Sequence, residues 1–326
     1  QDKGATYSDS DKLYENQNGT FVDITKKSGL QNVAFGLGVI AADLNNDGWQ
    51  DLYVANDYSK PDYVLINQKN GRFKNELFSA LKHMSKFSMG LDVADINNDG
   101  LLDIFNSEML GNDNYSKKVN MASMNPKLYQ GFVDAKLHYQ DMHNSLQLNN
   151  GNGTFSEISW MSNIAETDWS WSPLFADYDN DGDLDGWIGA STFNSGFHRL
   201  MRNNGNGTFT DVISASGLTE FNVTSIENQT YDFDNDGYAD IVSGGVILYG
   251  NGDLTFTISS TNIGNGGFGD INEDGFVDAI SNGQLIINNT NNNNWLKINT
   301  VGVESNLGGI GARVELSSAS GTQIRE

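Results

Sequence analysis

DYDNDGDLD, residues Asp177 to Asp185, sets a carboxylate at positions 1, 3, 5 and 9 of a nine-residue stretch and a glycine at position 6. Oxygens at alternate positions of a tight turn can converge on one hard cation, and the glycine permits the sharp reversal. The same pattern occurs four more times: DLNNDGWQD (Asp43 to Asp51), DINNDGLLD (Asp95 to Asp103), DFDNDGYAD (Asp232 to Asp240) and DINEDGFVD (Asp270 to Asp278). Each copy has Asp at positions 1, 5 and 9 and Asp or Asn at position 3. One copy would be a weak motif. Five in register point to metal binding rather than to acidic turns.

The ligand logic is that of the EF-hand, with side chains at 1, 3 and 5 and a backbone carbonyl at 7. An EF-hand closes with a bidentate Glu at position 12 between helices. Here the series closes with Asp at 9, and strand-like text follows: LYVAN, IFNSE, GWIGA, IVSGG and AISNG. The predicted cation is Ca²⁺, at up to five sites. The first is held by Asp43, Asn45, Asp47, Asp51 and the carbonyl of Trp49. The second takes Asp95, Asn97, Asp99, Asp103 and the carbonyl of Leu101. The third takes Asp177, Asp179, Asp181, Asp185 and the carbonyl of Asp183. The fourth takes Asp232, Asp234, Asp236, Asp240 and the carbonyl of Tyr238. The fifth takes Asp270, Asn272, Asp274, Asp278 and the carbonyl of Phe276. The side chains of Asp183 and Glu273 are expected to face water.

Asp and Glu number 42 against 19 Lys and Arg, for a net charge of −23, and 17 of the aspartates stand at ligand positions. The residual negative charge argues against nucleic acid and anionic membranes as partners. The absence of cysteine excludes disulfides, thiolate zinc and thiol catalysis. No apolar run approaches the ~20 residues of a membrane span. Loops with Asn at position 3 and no closing Glu should bind calcium moderately, which suits millimolar calcium outside the cell. A start at Gln1 without a signal peptide reads as a mature or trimmed secreted product. The last residues, GTQIRE, stop inside a strand-like pattern.

A second signature alternates with the loops: a turn and then an aromatic, ending at Phe21, Phe73, Phe155, Phe209 and Phe256. Asn-Gly turns are strong hairpin signals because both residues take positive φ. The loops begin at residues 43, 95, 177, 232 and 270, and four of these intervals bound repeats that each hold about four short apolar runs. That is the size of a propeller blade. The long interval from 95 to 177 carries an insertion of roughly residues 106–143, and the last interval is short. The expected fold is all-β, a propeller of four-stranded blades.

These residues resemble the FG-GAP/VCBS repeat family, which includes the integrin α-chain propeller. The stretches FSMGLDVADINNDGLLDIF, LQLNNGNGTFSEI and TDWSWSPLFADYDNDGDLD are most similar to bacterial secreted proteins related to cartilage acidic protein. The tail from Asn294 resembles the start of an ASPIC/UnbV module. The resemblance implies a propeller of seven blades, or six, over residues 1–290, with residues 291–326 completing a blade or opening a separate module. Residues 11–30 look like the outer end of a blade that lacks a calcium loop.

The remaining constellations have bland readings. Met84, Met89, Met109, Met121, Met124, Met142 and Met161, with His83, His138 and His143, could bind copper, but methionine more often fills gaps in a core. His138, Tyr139 and His143 could serve a polysaccharide lyase, with Lys117, Lys118 and Lys136 near in sequence, but they all lie in one insertion. Trp160, Trp169, Trp171 and Trp187 suit inter-blade packing or sugar stacking, and alternation puts Trp169 and Trp171 on one strand face. The expected function is a secreted or surface-displayed, bacterial binding or adhesion module for an extracellular glycan or protein, with self-association left open. The rivals are a lyase or hydrolase on the same scaffold and a structural subunit of an extracellular assembly.

Overall fold

The computed structural model describes residues 10–30, 32–58, 60–119, 125–190, 198–223, 225–289, 293–303, 309, 312–318 and 321–325. Five sheets follow one another as propeller blades. In the first, Phe35–Ala42, Asp51–Asp57, Tyr63–Asn67 and Phe73–Asn75 form an antiparallel meander. The second is Leu91–Ala94, Asp103–Asn106, Ser145–Asn149 and Phe155–Glu157. The third runs Asp168–Ala176, Asp185–Ala190, Arg199–Asn203 and Phe209–Asp211, and the fourth Asn228–Tyr231, Asp240–Ser243, Val246–Gly250 and Phe256–Asn262. The fifth has three strands among the described residues: Gly266–Gly269, Asp278–Ser281 and Gln284–Ile286. An Asn-rich run follows its third strand. In every blade an acidic nonapeptide connects the first two strands, with its closing Asp opening the second. Each turn-then-aromatic signature opens an outermost strand. The first of these, at Phe21, lies in a separate hairpin of Tyr14–Gln17 and Thr20–Asp23.

The phenylalanine of that signature explains how blades stack. Phe155 of the second blade fills the cluster of Leu44, Tyr53, Val64 and Leu77 from the first blade. Phe209 of the third packs with Ile96, Phe105 and Leu146 of the second. Phe256 of the fourth packs with Tyr178, Trp187 and Leu200 of the third. The core is thus a series of slabs between neighbouring blades, as expected when sheets bury both faces. At the hub, the first strands of the first four blades surround a cavity of about 490 Å³, where Ala42, Ala94 and Ala176 let them approach closely.

The insertion sits between the second and third strands of the second blade. Its Met109–Leu110 adds an edge strand to the third blade. Its return, Gln140–Asp141, pairs in parallel with Met84–Ser85. Between them lies the helix Pro126–Asp134, started by Pro and capped by the Asn125 side chain, which accepts the Lys127 N–H at 2.9 Å. The insertion therefore bolts two blades together rather than lying over them as an independent cap. Met84, Met89 and Met142 are buried packing residues. Met161 is exposed, and Met121 and Met124 lie outside the described residues.

Candidate metal centres

The five acidic loops share one set of hydrogen bonds from backbone N–H groups to their aspartates. The carboxylate at position 1 accepts the N–H of positions 5 and 6, as Asp177 does from Asp181 (3.1 Å) and Gly182 (3.1 Å). Position 5 accepts the N–H of position 7, as Asp236 does from Tyr238 at 2.9 Å. Position 9 accepts the N–H of position 2 and of the third strand's end, as Asp103 does from Ile96 (3.1 Å) and Asn149 (2.8 Å). Loops at Asp43, Asp95, Asp232 and Asp270 repeat the first pair of bonds. Backbone donors thus aim the carboxylates inward. The position-6 glycines have φ of 84°, 84°, 97°, 98° and 89°, a region that excludes most side chains.

Loops three and four bring oxygens of three carboxylates within 4.8 Å of one another: Asp177, Asp179 and Asp185, and Asp232, Asp234 and Asp240. In the other loops position 3 is Asn, and its amide donates to the position-5 carboxylate: Asn45 to Asp47 at 3.2 Å, Asn97 to Asp99 at 3.0 Å and Asn272 to Asp274 at 2.9 Å. An aspartate there cannot donate, so loops three and four carry the greater uncompensated repulsion. Burial, reinforced by neighbouring aspartates, pushes Asp185 and Asp240 up to about 8, Asp103 up to about 7 and Asp51 and Asp177 up to about 6. A crowded set of hard oxygens with raised pKa values fits a divalent oxygen-seeking cation. Asp43, Asn45, Asp47, Asp51, Asp95, Asn97, Asp99, Asp270, Asn272, Asp274 and Asp278 have the same backbone setting in their own loops.

The expectation for Asp183 needs correction. Its carboxylate accepts the Asn98 amide of the preceding loop at 2.7 Å instead of facing water only. Glu273 is exposed, as expected.

That contact belongs to a pattern not recognised in the sequence. Position 4 takes left-handed φ in every loop, and four of the five copies have Asn there. Asn98, Asn180 and Asn235 each donate to the position-6 carbonyl of the next loop: Gly182 at 3.1 Å, Gly237 at 3.1 Å and Gly275 at 3.0 Å. A second series runs the other way. Asn149 donates to Leu44 O of the preceding loop (2.9 Å) and Leu102 O of its own (3.1 Å). Asn203 does so to Ile96 O (3.0 Å) and Leu184 O (3.2 Å), and Asn288 to Phe233 O (2.7 Å) and Val277 O (3.3 Å). The acidic loops are therefore the joints between blades. Gly250 holds the corresponding place in the fourth blade; its backbone N–H donates to Asp240 at 2.8 Å, but it has no side-chain amide to reach the neighbouring loop.

A family profile for the FG-GAP-like repeat matches residues 4–54, 43–105, 132–186 and 189–243. The chain belongs to the FG-GAP-like repeat family. The first four acidic loops of this FG-GAP chain lie within those matches; the fifth lies beyond them yet makes the same hydrogen bonds. Integrin alpha-3 of Mus musculus is 40% identical over 81 residues, covering 22% of this chain and 8% of the integrin. Integrin alpha-3 of Cricetulus griseus is 36% identical over 97 residues, covering 25% and 9%. The chain thus spans less than a tenth of the length of these curated relatives. Among solved structures, an Agrocybe aegerita lectin described as recognising non-reducing terminal N-acetylglucosamine gives a TM-score of 0.44 at 16% identity, covering 77% of this chain and 66% of that one. The V. cholerae biofilm matrix protein Bap1 gives 0.35 at 12% identity, covering 77% and 35%.

The face opposite the loops holds the other polar residues. Asp62 is buried and accepts from Tyr53 Oη (2.7 Å), Asn56 N (2.7 Å), Ser88 Oγ (3.0 Å) and Asn106 Nδ2 (2.9 Å), tying the first blade to the second. Glu108 is buried and accepts the N–H of Lys86 (3.0 Å), Phe87 (2.7 Å) and Met109 (2.9 Å). Burial raises Asp62 to about 7 and Glu108 to about 8, against these donors. The lyase candidates do not converge. His138 and His143 are both buried, and each has a ring nitrogen near a backbone carbonyl, Leu81 O (3.2 Å) and Asn144 O (2.6 Å). Tyr139 is exposed beside His83, whose ring nitrogen lies 2.8 Å from Asp141. Trp187 is fully buried and stacked on His198, whereas Trp160 is exposed. Trp169 and Trp171 are both half-buried, and a bulge interrupts their strand between Ser170 and Ser172. Among the described residues, no helix is long and apolar enough to cross a membrane.

Proposed function

We propose that this FG-GAP chain is a calcium-stabilised propeller that works by binding an extracellular glycan or protein, from a secreted or surface-displayed position. The supporting observation is the joint: each acidic loop is tied to a neighbouring loop, either directly or through an asparagine that donates to both. Calcium at up to five sites would neutralise each loop and hold its oxygens in one geometry. The residues to hold it are the position 1, 3, 5 and 9 side chains, with the position-7 carbonyls of Trp49, Leu101, Asp183, Tyr238 and Phe276. The ions would then fix the order of the blades, leaving the opposite face to recognise a partner. A division at about residue 290 accompanies this proposal. The tail beyond it, read as the start of an ASPIC/UnbV-like segment, lies against the loops: Arg313 donates to Asn98 Oδ1 at 2.6 Å, and Asn293 to Asp234 O at 2.9 Å. An array of glycans and matrix proteins, probed in calcium and in EDTA, tests the reading. Binding that is lost in EDTA and regained with calcium is expected. No binder in either condition would sink it.

A further inference from the structure

Lys86 is a buried lysine whose ammonium makes no side-chain hydrogen bond or ion pair among the described residues. It is 6% exposed, and the carboxylate that acts on it electrostatically is the buried Glu108, whose oxygens are already engaged by the backbone N–H groups of Lys86, Phe87 and Met109. Its charge rests instead on aromatic faces: Nζ is 4.3 Å from the ring centre of Phe87 and 5.7 Å from that of Phe132. Burying a cation without a hydrogen bond to it is costly. Cation–π contacts offset only about 0.5–2 kcal/mol of such a cost.

The aromatic surface continues outward from Lys86. Tyr58 meets Phe87 edge-on at 6.4 Å, and Phe35 meets Tyr58 edge-on at 5.3 Å. Tyr58 and Phe35 are 58% and 65% exposed. Tyr58 also has a φ of 65°, a left-handed conformation that a bulky residue adopts only under constraint. Backbone strain of this kind concentrates where a side chain must be presented. The group draws on three separate pieces of chain: the first blade (Phe35, Tyr58), the connector to the second blade (Lys86, Phe87) and the insertion helix (Phe132). Such convergence fixes geometry better than a single loop does. Phe35 begins the strand that ends at Ala42, next to the first acidic loop. Eight residues of strand put the group roughly 23 Å from that loop, so it is independent of the metal centres.

We propose that Lys86, Phe87, Tyr58 and Phe35 form a binding site for a terminal sugar residue that carries one carboxylate. This rests on the binding reading above and names a ligand class for it. Charge complementarity decides the anion: one ammonium set against aromatic rings matches one carboxylate. The exposed rings decide the rest, because a pyranose presents a flat C–H face to stack on them. A polyuronate, with a carboxylate on every residue, would instead meet the field of a chain of net charge −23.

The test uses two probes, methyl β-D-glucuronide and methyl β-D-glucoside, which differ in a carboxylate against a hydroxymethyl group. Calorimetry and saturation-transfer NMR are run on the full chain in calcium. The wild type should bind the glucuronide at least tenfold more tightly, and rising salt should narrow that gap. Lys86→Met keeps the buried stem and should equalise the two sugars, while Lys86→Arg should keep the preference. Tyr58→Gly relieves the strain, removes a ring, and should weaken both sugars. A calcium-dependent melt that is unchanged in each variant verifies folding. A wild type with no preference, or a preference that survives Lys86→Met, would overturn the site. Binding of neutral glycans without a glucuronide preference would overturn it and leave the general binding reading standing, whereas failure to bind any glycan or protein would remove both. Lys86-dependent binding of an acidic peptide, with the glucuronide ignored, would overturn the sugar assignment.

Discussion

Replacing Asn203 by alanine should loosen the joint between the second and third blades by about 2–4 kcal/mol. The residue is 4% exposed, so water cannot readily take over its bonds. Its amide donates to Ile96 O of one acidic loop and Leu184 O of the next, and its Oδ1 accepts the Gly205 N–H at 3.1 Å. A net contribution of about 1 kcal/mol per hydrogen bond gives roughly 3 kcal/mol. Solvent reaching the turn at Gly205 lowers that figure, and two carbonyls left in a buried joint raise it. The assay is equilibrium urea unfolding in saturating calcium, followed by tryptophan fluorescence and circular dichroism. The exposed control Glu220→Ala should lie within about 0.5 kcal/mol of wild type. Asn98→Ala breaks the parallel bond to Gly182, so a double-mutant cycle with Asn203→Ala should be non-additive. An Asn203→Ala loss no larger than the control's would refute the idea that these amides hold the blades together.

Asp181→Ala removes position 5 of the third loop, and calorimetric titration should count one calcium fewer than wild type; loss of all sites together would show that the loops do not bind independently. The metal-free protein should lose stability from pH 7 to pH 9. Asp185, Asp240 and Glu108 have pKa values raised to about 8, so the folded state binds more protons than the unfolded state there and stability falls as pH rises. Burial lowers His138 and His198, which are therefore neutral in both states over that range and add nothing. Calcium should shrink the fall without abolishing it, because Glu108 is remote from the loops; a metal-free protein more stable at pH 9 would contradict these environments.

The loops and the turn phenylalanines carried most of the fold, because both are local devices with fixed spacing. A carboxylate series around a glycine and an Asn-Gly turn before an aromatic are legible without knowing what they touch. Four blades and the outer hairpin follow from them directly. The joints were hidden for the opposite reason. Asn149 and Asn203 sit in NNG text that reads as turn composition, while their function depends on a loop 105 or 107 residues away. The recurring Asn at position 4 was a visible signal for the other series, but a non-ligand position in a metal motif invites no question. The edge strand Met109–Leu110 is too short to declare itself by alternation, so the insertion read as excess chain. Lys86 and Tyr58 had no motif at all. Only the burial of one and the left-handed backbone of the other single them out.

Thermal unfolding of the full chain, scanned in EDTA, in excess calcium and in excess magnesium, tests the central claim most directly. Each loop filled at 100-fold over its dissociation constant adds about 2.7 kcal/mol to the folded state. The melting temperature in calcium should lie well above the EDTA value, with little recovery in magnesium, which prefers octahedral, partly hydrated sites. Identical melts in EDTA and calcium would contradict it.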